Sequence, residues 1–296
     1  MPPGFLPKRL YKYRAFNVNT LRMLTEAEVY YADPTAFNDP LDSKPSLQLD
    51  TDLPALEDLL CRMIIQVSGP ERAQQALLKH RLMSRFGDHV VDSEAATYYT
   101  NALAADVLNL LREEVGQRGI LSLAQRWNCP LMWSHYADEH RGLCIEYDME
   151  DHAFDRIQPV DYRKPRGVKV SELIEWKVKR SDAAEQSIIA TYFLAKAPQW
   201  RYEREWREVD ECAGPKSAPA RISAVYFGLR CDASVKTAIV KLHAQAEHPV
   251  KFYSVQVEDN GFRLKRALVD VGEIARAGLK SSAQLDLRDG FRSTPH

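Results

Sequence analysis

The sequence predicts an α+β fold: a mixed, mainly antiparallel sheet with a helical insertion at about residues 53–117 packed on it. Three observations carry this. Helical periodicity is concentrated in one block, where Leu56, Leu59, Leu60, Met63 and Ile64 fall at i, i+3, i+4, i+7 and i+8. The β-rich runs come in groups instead of alternating one by one with helices, which argues against a doubly wound sheet. Asp259-Asn260-Gly261, set between KFYSVQVE and FRLKRA, is a strong hairpin signal.

In chain order, residues 10–32 read as strand, helix, strand. LYKYR is followed by Asn17 and Asn19, either of which can cap a helix carrying Leu21 and Leu24, and VYYA then stops at Asp33-Pro34. The two Asp-Pro pairs in this region hold the residues before proline extended and stiffen the loop. Within the helical block, Gly69-Pro70 ends one helix and a second follows. Tyr99, Leu103, Val107, Leu110 and Leu111 make a third stripe that Gly116 and Gly119 end. ILSLA and LCIEYD are expected strands, as is the segment Val160 to Tyr162. A helix over about 171–195 carries Ile188, Ile189, Tyr192 and Phe193. EWREV and ISAVYFG are further strands. Asp232 or Ser234 then caps a helix bearing Val235, Ile239, Leu242 and Ala246. There is no internal repeat. One domain over 1–278 is expected, followed by a polar, flexible tail at 279–296.

At 296 residues the chain is long enough for a sizeable core, and 45% hydrophobic with 27% charged residues is ordinary for a globular protein. A formal net charge of −1 provides no long-range field to gather nucleic acid or an anionic membrane. The five cysteines are scattered without a C-x-x-C pair, which excludes a zinc knuckle and a disulfide framework. No run approaches the roughly 20 apolar residues of a membrane span. The expectation is a cytoplasmic protein with no membrane partner and no metal.

Polar and aromatic side chains crowd four separated stretches: LYKYR (10–14), YYADPTAFNDPLD (30–42), MWSHYADEHRGLCIEYD (132–148) and WRYEREWRE (200–208). Such groups are costly to bury unless paired, so their concentration points to one polar cleft. Read as a strand, WRYEREWRE places Glu203, Glu205 and Arg207 on one face, and a fixed carboxylate pair can stabilise developing positive charge. The same three residues can equally form a structural ion-pair ladder. Arg14, with Tyr13, suits a phosphate because guanidinium binds it bidentately. Asn38 and Asp39 either make Asx-turns or contact a ribose hydroxyl. Trp133 and Tyr136 either belong to the core or stack on a flat ring, while His135, as a histidine, can act as acid, base or anchor. His135 and His140 stand at no recognised metal spacing.

Across these motifs, together with KAPQWRYEREWRE and AVYFGLRC, the chain resembles a bacterial family known as domain of unknown function 2971 (DUF2971). The resemblance covers roughly residues 9 to 257 and is weak through the helical block. The family is defined by sequence; its members are often linked with mobile or defensive gene neighbourhoods. A second, partial resemblance is to ADP-ribosyltransferases, in the order Arg14, Ser122, Glu203, Glu205. It implies an enzyme that binds NAD and transfers or hydrolyses ADP-ribose. Glu205 is then the transition-state carboxylate, Glu203 its partner, Arg14 the dinucleotide holder and Ser122 an organiser of the pocket. ILSLA lacks the Thr and second Ser of that pattern. The acceptor macromolecule is left open. Two alternatives stand beside this one. The first is a metal-independent nuclease or toxin-like defence factor using His135 with Glu205 or Asp39. The second is a non-catalytic module that senses a nucleotide or a partner.

Overall fold

A computed structural model describes residues 6–84, 92–150, 156–243, 246 and 248–276. The tail expected at 279–296 lies outside the described residues. The strands are β1 (Arg9–Arg14), β2 (Glu28–Tyr31), β3 (Ser46–Gln48), β4 (Gly119–Ala124), β5 (Leu143–Asp148), β6 (Ile157–Pro159), β7 (Gly167–Lys169), β8 (Glu205–Asp210), β9 (Gly214–Ser217), β10 (Arg221–Phe227), β11 (Lys251–Val257) and β12 (Leu264–Leu268). The helices are α1 (Val18–Thr25), α2 (Leu53–Ser68), α3 (Pro70–Ser84), α4 (Asp92–Val115), α5 (Pro130–Tyr136), α6 (Val170–Lys177), α7 (Asp182–Leu194), α8 (Ala233–Leu242) and α9 (Val271–Arg276). The fold is α+β with a mixed, mainly antiparallel sheet. Among the described residues no helix is long and apolar enough to cross a membrane.

The chain divides into two compact units. Unit one comprises Met1–Glu28, Arg126–His152 and Ala218–His296; unit two comprises Val29–Gln125 and Ala153–Ser217.

In unit one the strands lie in the order β12-β11-β10-β5-β1. Every neighbouring pair is antiparallel except β10 and β11, whose parallel pairing needs a crossover, which α8 supplies. The hairpin across Asp259-Asn260-Gly261 forms as expected, pairing Val257 with Leu264. Residues directly opposite in register point to the same side of the sheet. One side therefore carries Tyr11, Tyr13, Cys144, Glu146 and Tyr226, and the other carries Leu10, Arg14, Leu143, Tyr147 and Phe227. The register slips between Ile222 and Ala224, making Ser223 the extra residue of a bulge. Asn17 caps α1 by accepting from the Thr20 N–H at 3.0 Å. Asn17→Ala is expected to cost about 1 kcal/mol in denaturant unfolding.

Unit two holds β4-β8-β6, antiparallel throughout, and the small pairs β2/β9 and β3/β7. The expected insertion is helical: the stripe of Leu56, Leu59, Leu60 and Met63 packs with Leu103, Val107 and Leu111 of α4. The same core takes in Leu173 of α6, Ile188 and Phe193 of α7, and Ile120 of β4. Each such side chain contributes roughly 1.5–3 kcal/mol through burial.

Four local expectations need correction. The helix at 171–195 is two helices, α6 and α7, because Arg180 adopts a left-handed φ of 56° and Ser181 caps a fresh start by accepting from Ala184 N–H. The strand placed at 160–162 lies at 157–159. The helix after Asp232 stops at Leu242, short of Ala246. Finally, WRYEREWRE is not one strand. Pro198–Glu203 forms a 3-10 turn and Arg204 is left-handed at φ 45°, so β8 starts only at Glu205.

Candidate functional site

In unit two, the left-handed residue Arg204 swings the chain from the 3-10 turn into β8, and alternation then puts Glu205 and Arg207 on one face. The Arg207 guanidinium is bidentate twice. Its Nε and Nη2 donate to Glu205 Oε1 and Oε2 at 2.7 and 3.0 Å, and its Nη1 and Nη2 donate to Asp42 Oδ1 and Oδ2 at 2.8 and 2.6 Å. Nη1 also donates to the Phe193 carbonyl at 2.7 Å. Lys196, just past α7, places its ammonium 2.7 Å from Glu205 Oε2 and 3.4 Å from Asp42 Oδ2, and also hydrogen-bonds Glu203. The Tyr162 hydroxyl accepts from the Glu205 N–H at 2.9 Å.

This cluster is dry. Arg207 is 1% exposed, Glu203 3%, Asp42 5% and Glu205 6%. Burial works to raise the Glu205 pKa, but the charges and hydrogen bonds of Arg207 and Lys196 more than reverse it, so the carboxyl is held well below its usual range. Burial likewise opposes the charge on Lys196, and Glu205 and Glu203 outweigh it. Glu205 and Lys196 therefore hold their charges against burial. Ser122 sits opposite Arg207 in the β4/β8 register, and so shares the sheet face with Glu205; Glu203 lies before the strand. Asp39 makes the Asx-turn, accepting from Leu41 N–H at 2.8 Å, and also accepts from Trp200 Nε1 at 2.6 Å. That bond pins the FNDP loop to the 3-10 turn. Asn38 is exposed.

Sequence reasoning passed over Asp42 and Lys196. Both lie inside the quoted motifs (PLD and KAPQW), and a strictly strand-based reading of WRYEREWRE gave no reason to look there for counter-charges.

In unit one, Tyr13 and Arg14 point to opposite sides of β1. Tyr13 is buried: its hydroxyl donates to the Arg126 carbonyl at 2.8 Å and its ring meets Trp133 edge-on at 5.2 Å. Trp133 is 0% exposed and donates Nε1–H to the Trp127 carbonyl at 2.7 Å, which is a core role. His135 is exposed and Tyr136 half-buried at the end of α5. The helix stops there because Asp138, Glu139 and His140 take left-handed φ values of 46°, 49° and 70° in succession. Such a run costs on the order of 1–2 kcal/mol per residue. His140 N–H donates to the Trp133 carbonyl at 3.1 Å, and its ring stacks on the Trp133 indole.

Arg14 is different in kind. It is largely withdrawn from solvent, its Nε is buried without a hydrogen-bond partner, and it has no carboxylate partner among the described residues. Burial lowers its pKa, with Tyr147 opposing only weakly. The Tyr147 hydroxyl, on the same sheet face, is also buried and unpaired. Burial raises the Tyr147 pKa, and Arg14 partly offsets this, so the two groups feel one another. Among the described residues the Arg14 Nε and the Tyr147 hydroxyl are thus both left without a partner on one sheet face, and an anion would satisfy both.

The opposite face centres on Glu146, 2% exposed, which accepts from Tyr226 OH at 2.6 Å and from the bulged Ser223 hydroxyl at 2.8 Å, with Arg9 at 3.4 Å. Among the described residues, no group of three or more His, Cys, Asp or Glu is arranged to hold a metal ion.

Fold and site together define an α+β protein with a closed ion cluster in one unit and an unsatisfied cation in the other. Residues 132–208 match the family model described as Protein of unknown function (DUF2971). The matched segment contains Trp133, His135, Tyr136, Lys196, Glu203, Glu205 and Arg207; it does not reach Arg14, Asn38, Asp39 or Ser122. It brings no relationship to ADP-ribosyltransferases. Comparison with curated proteins and with solved structures gives no match.

Proposed function

We propose that the chain binds a nucleotide, with NAD the expected ligand, and that Arg14 takes its phosphate. The observation that carries this is the buried, unpartnered Nε of Arg14 beside the unpaired Tyr147 hydroxyl. Holding a guanidinium away from water without an anion costs free energy, and a phosphate recovers it through charge-assisted hydrogen bonds. A cytoplasmic location is part of the proposal, supported by five cysteines that are all free thiols.

The chemical step we propose, transfer or hydrolysis of ADP-ribose, is a separate reading argued from unit two by itself, with Glu205 and Glu203 as its carboxylates and Ser122 on the same sheet face as Glu205. Both carboxylates are buried, and Glu205 is held in its charged form, which suits stabilisation of a cationic transition state. Lys196 holds both of them, so the step needs the ammonium to move aside. That same pairing favours a second reading, in which the protein binds the nucleotide as a non-catalytic sensor.

The test is incubation with NAD, measuring bound NAD and released nicotinamide for the wild type, Glu205→Gln and Arg14→Met. Thermal unfolding confirms that each variant is folded. The enzyme reading expects release that falls by about 100-fold in Glu205→Gln while binding persists. Binding that Arg14→Met abolishes, without release from any variant, selects the sensor. If the wild type binds none of NAD, ADP-ribose or inorganic phosphate, the proposal is overturned.

A further inference from the structure

The face of the unit-one sheet opposite Arg14 carries a cluster of aromatic rings around one arginine. Trp127 and Tyr226 stack with ring centroids 5.1 Å apart, and Tyr226 and Tyr253 stack at 5.0 Å. The Arg266 guanidinium sits over all three rings, 4.4 Å from Tyr253, 5.5 Å from Tyr226 and 5.8 Å from Trp127. It donates to the Tyr226 hydroxyl and lies 4.0 Å from Glu146 Oε2. Several aromatic faces with a carboxylate at the floor make an environment that selects cations.

The walls do not depend on Arg266. Tyr226 is 0% exposed and Glu146 2%, and Glu146 is already held by Tyr226, Ser223 and Arg9. Arg266 is a visitor by comparison. It reaches in from β12, the edge strand of unit one, and its side chain is still 36% exposed. It can leave without opening the core.

We propose that the cage of Trp127, Tyr226, Tyr253 and Glu146 is a binding site for a guanidinium group presented by a ligand, with Arg266 acting as a built-in occupant that the ligand displaces. Glu146 and the Tyr226 oxygen accept N–H hydrogen bonds, which favours guanidinium over a quaternary ammonium ion that has none to give. The tethered side chain competes at an effective concentration on the order of millimolar. It therefore sets a threshold that weak ligands do not cross. This inference does not rest on the nucleotide proposal.

The experiment uses the full chain with Arg266→Ala and, as a second variant that keeps an uncharged polar head on an aliphatic stem, Arg266→Gln. The Trp127 indole NMR signal, assigned with Trp127→Phe, is followed while N-acetyl-arginine amide is added. Both variants are expected to bind this probe at least roughly tenfold more tightly than the wild type. Adding Tyr253→Ala or Glu146→Gln to Arg266→Ala should return binding to the wild-type level. Tetramethylammonium chloride should shift the signal much less. If folded Arg266 variants bind no better than the wild type, or if tetramethylammonium binds as well as the arginine amide, the assignment is overturned.

Discussion

Arg207→Met is expected to lower the unfolding free energy by about 3–5 kcal/mol, because it leaves Asp42 and Glu205 buried with only Lys196 to face them. The loss comes from stranded carboxylates and not from the absence of a net favourable ion pair, so partial repair is informative. Arg207→Lys keeps the charge but cannot reproduce two bidentate contacts, and should fall between. The effect has a defined pH dependence. The folded-state pKa of Glu205 is depressed from its ordinary value of 4.5 by Arg207 and Lys196 against the opposing effect of burial. Its stabilising contribution is therefore complete above the unfolded carboxylate's range and is lost as pH falls through and below it. Urea unfolding at neutral pH and at progressively lower pH should show the gap between wild type and Arg207→Met narrowing as Glu205 protonates. A constant gap, or a neutral-pH cost below about 1 kcal/mol, would mean that the cluster is solvated in a way its burial contradicts.

The second large effect has an unusual sign. Arg14→Met should stabilise the ligand-free protein by about 1–2 kcal/mol, since it removes a desolvated charge that no anion among the described residues neutralises. The same substitution should erase ligand-induced stabilisation. At a concentration 100 times its Kd, NAD or ADP-ribose should raise the wild-type unfolding free energy by about 2.7 kcal/mol and leave Arg14→Met unmoved. The pair of measurements separates a binding residue from a packing residue. A packing residue would destabilise when truncated, and would not care whether ligand was present.

The parts of this fold that were legible in the sequence are those governed by local rules. The Leu56–Met63 stripe, the Asn17 cap and the Asp259-Asn260-Gly261 turn each state their geometry within a few residues, and each forms as read. Misreadings occurred where a left-handed backbone interrupts a plausible pattern. Arg180 splits a helix whose periodicity looked continuous, and Arg204 hides the boundary between a 3-10 turn and β8. Neither position is a glycine, so composition gave no warning. The candidate site was legible as a set of residue types but not as pairings. Glu203, Glu205 and Arg207 were expected to share a face, yet Asp42 enters from 165 residues earlier in the chain to complete the arginine's coordination. Tyr13 and Arg14 were grouped as one binding pair, although adjacent strand residues point to opposite sides and their roles diverge accordingly. No sequence pattern marks an arginine as lacking a partner; only the folded arrangement reveals it.

The two units are threaded through one another along the backbone, unit one from three stretches and unit two from two. Neither can be cut out of the gene as a contiguous fragment. β1 finds β5 only after more than a hundred intervening residues have been synthesised, so Leu10 meets Tyr147 late. Assembly of that sheet must wait for closure of a long loop, a slow event that leaves strand edges open to other chains in the meantime. For such a protein, yield on expression will depend on temperature and synthesis rate more than on final stability, and any attempt at a minimal version has to keep both units whole.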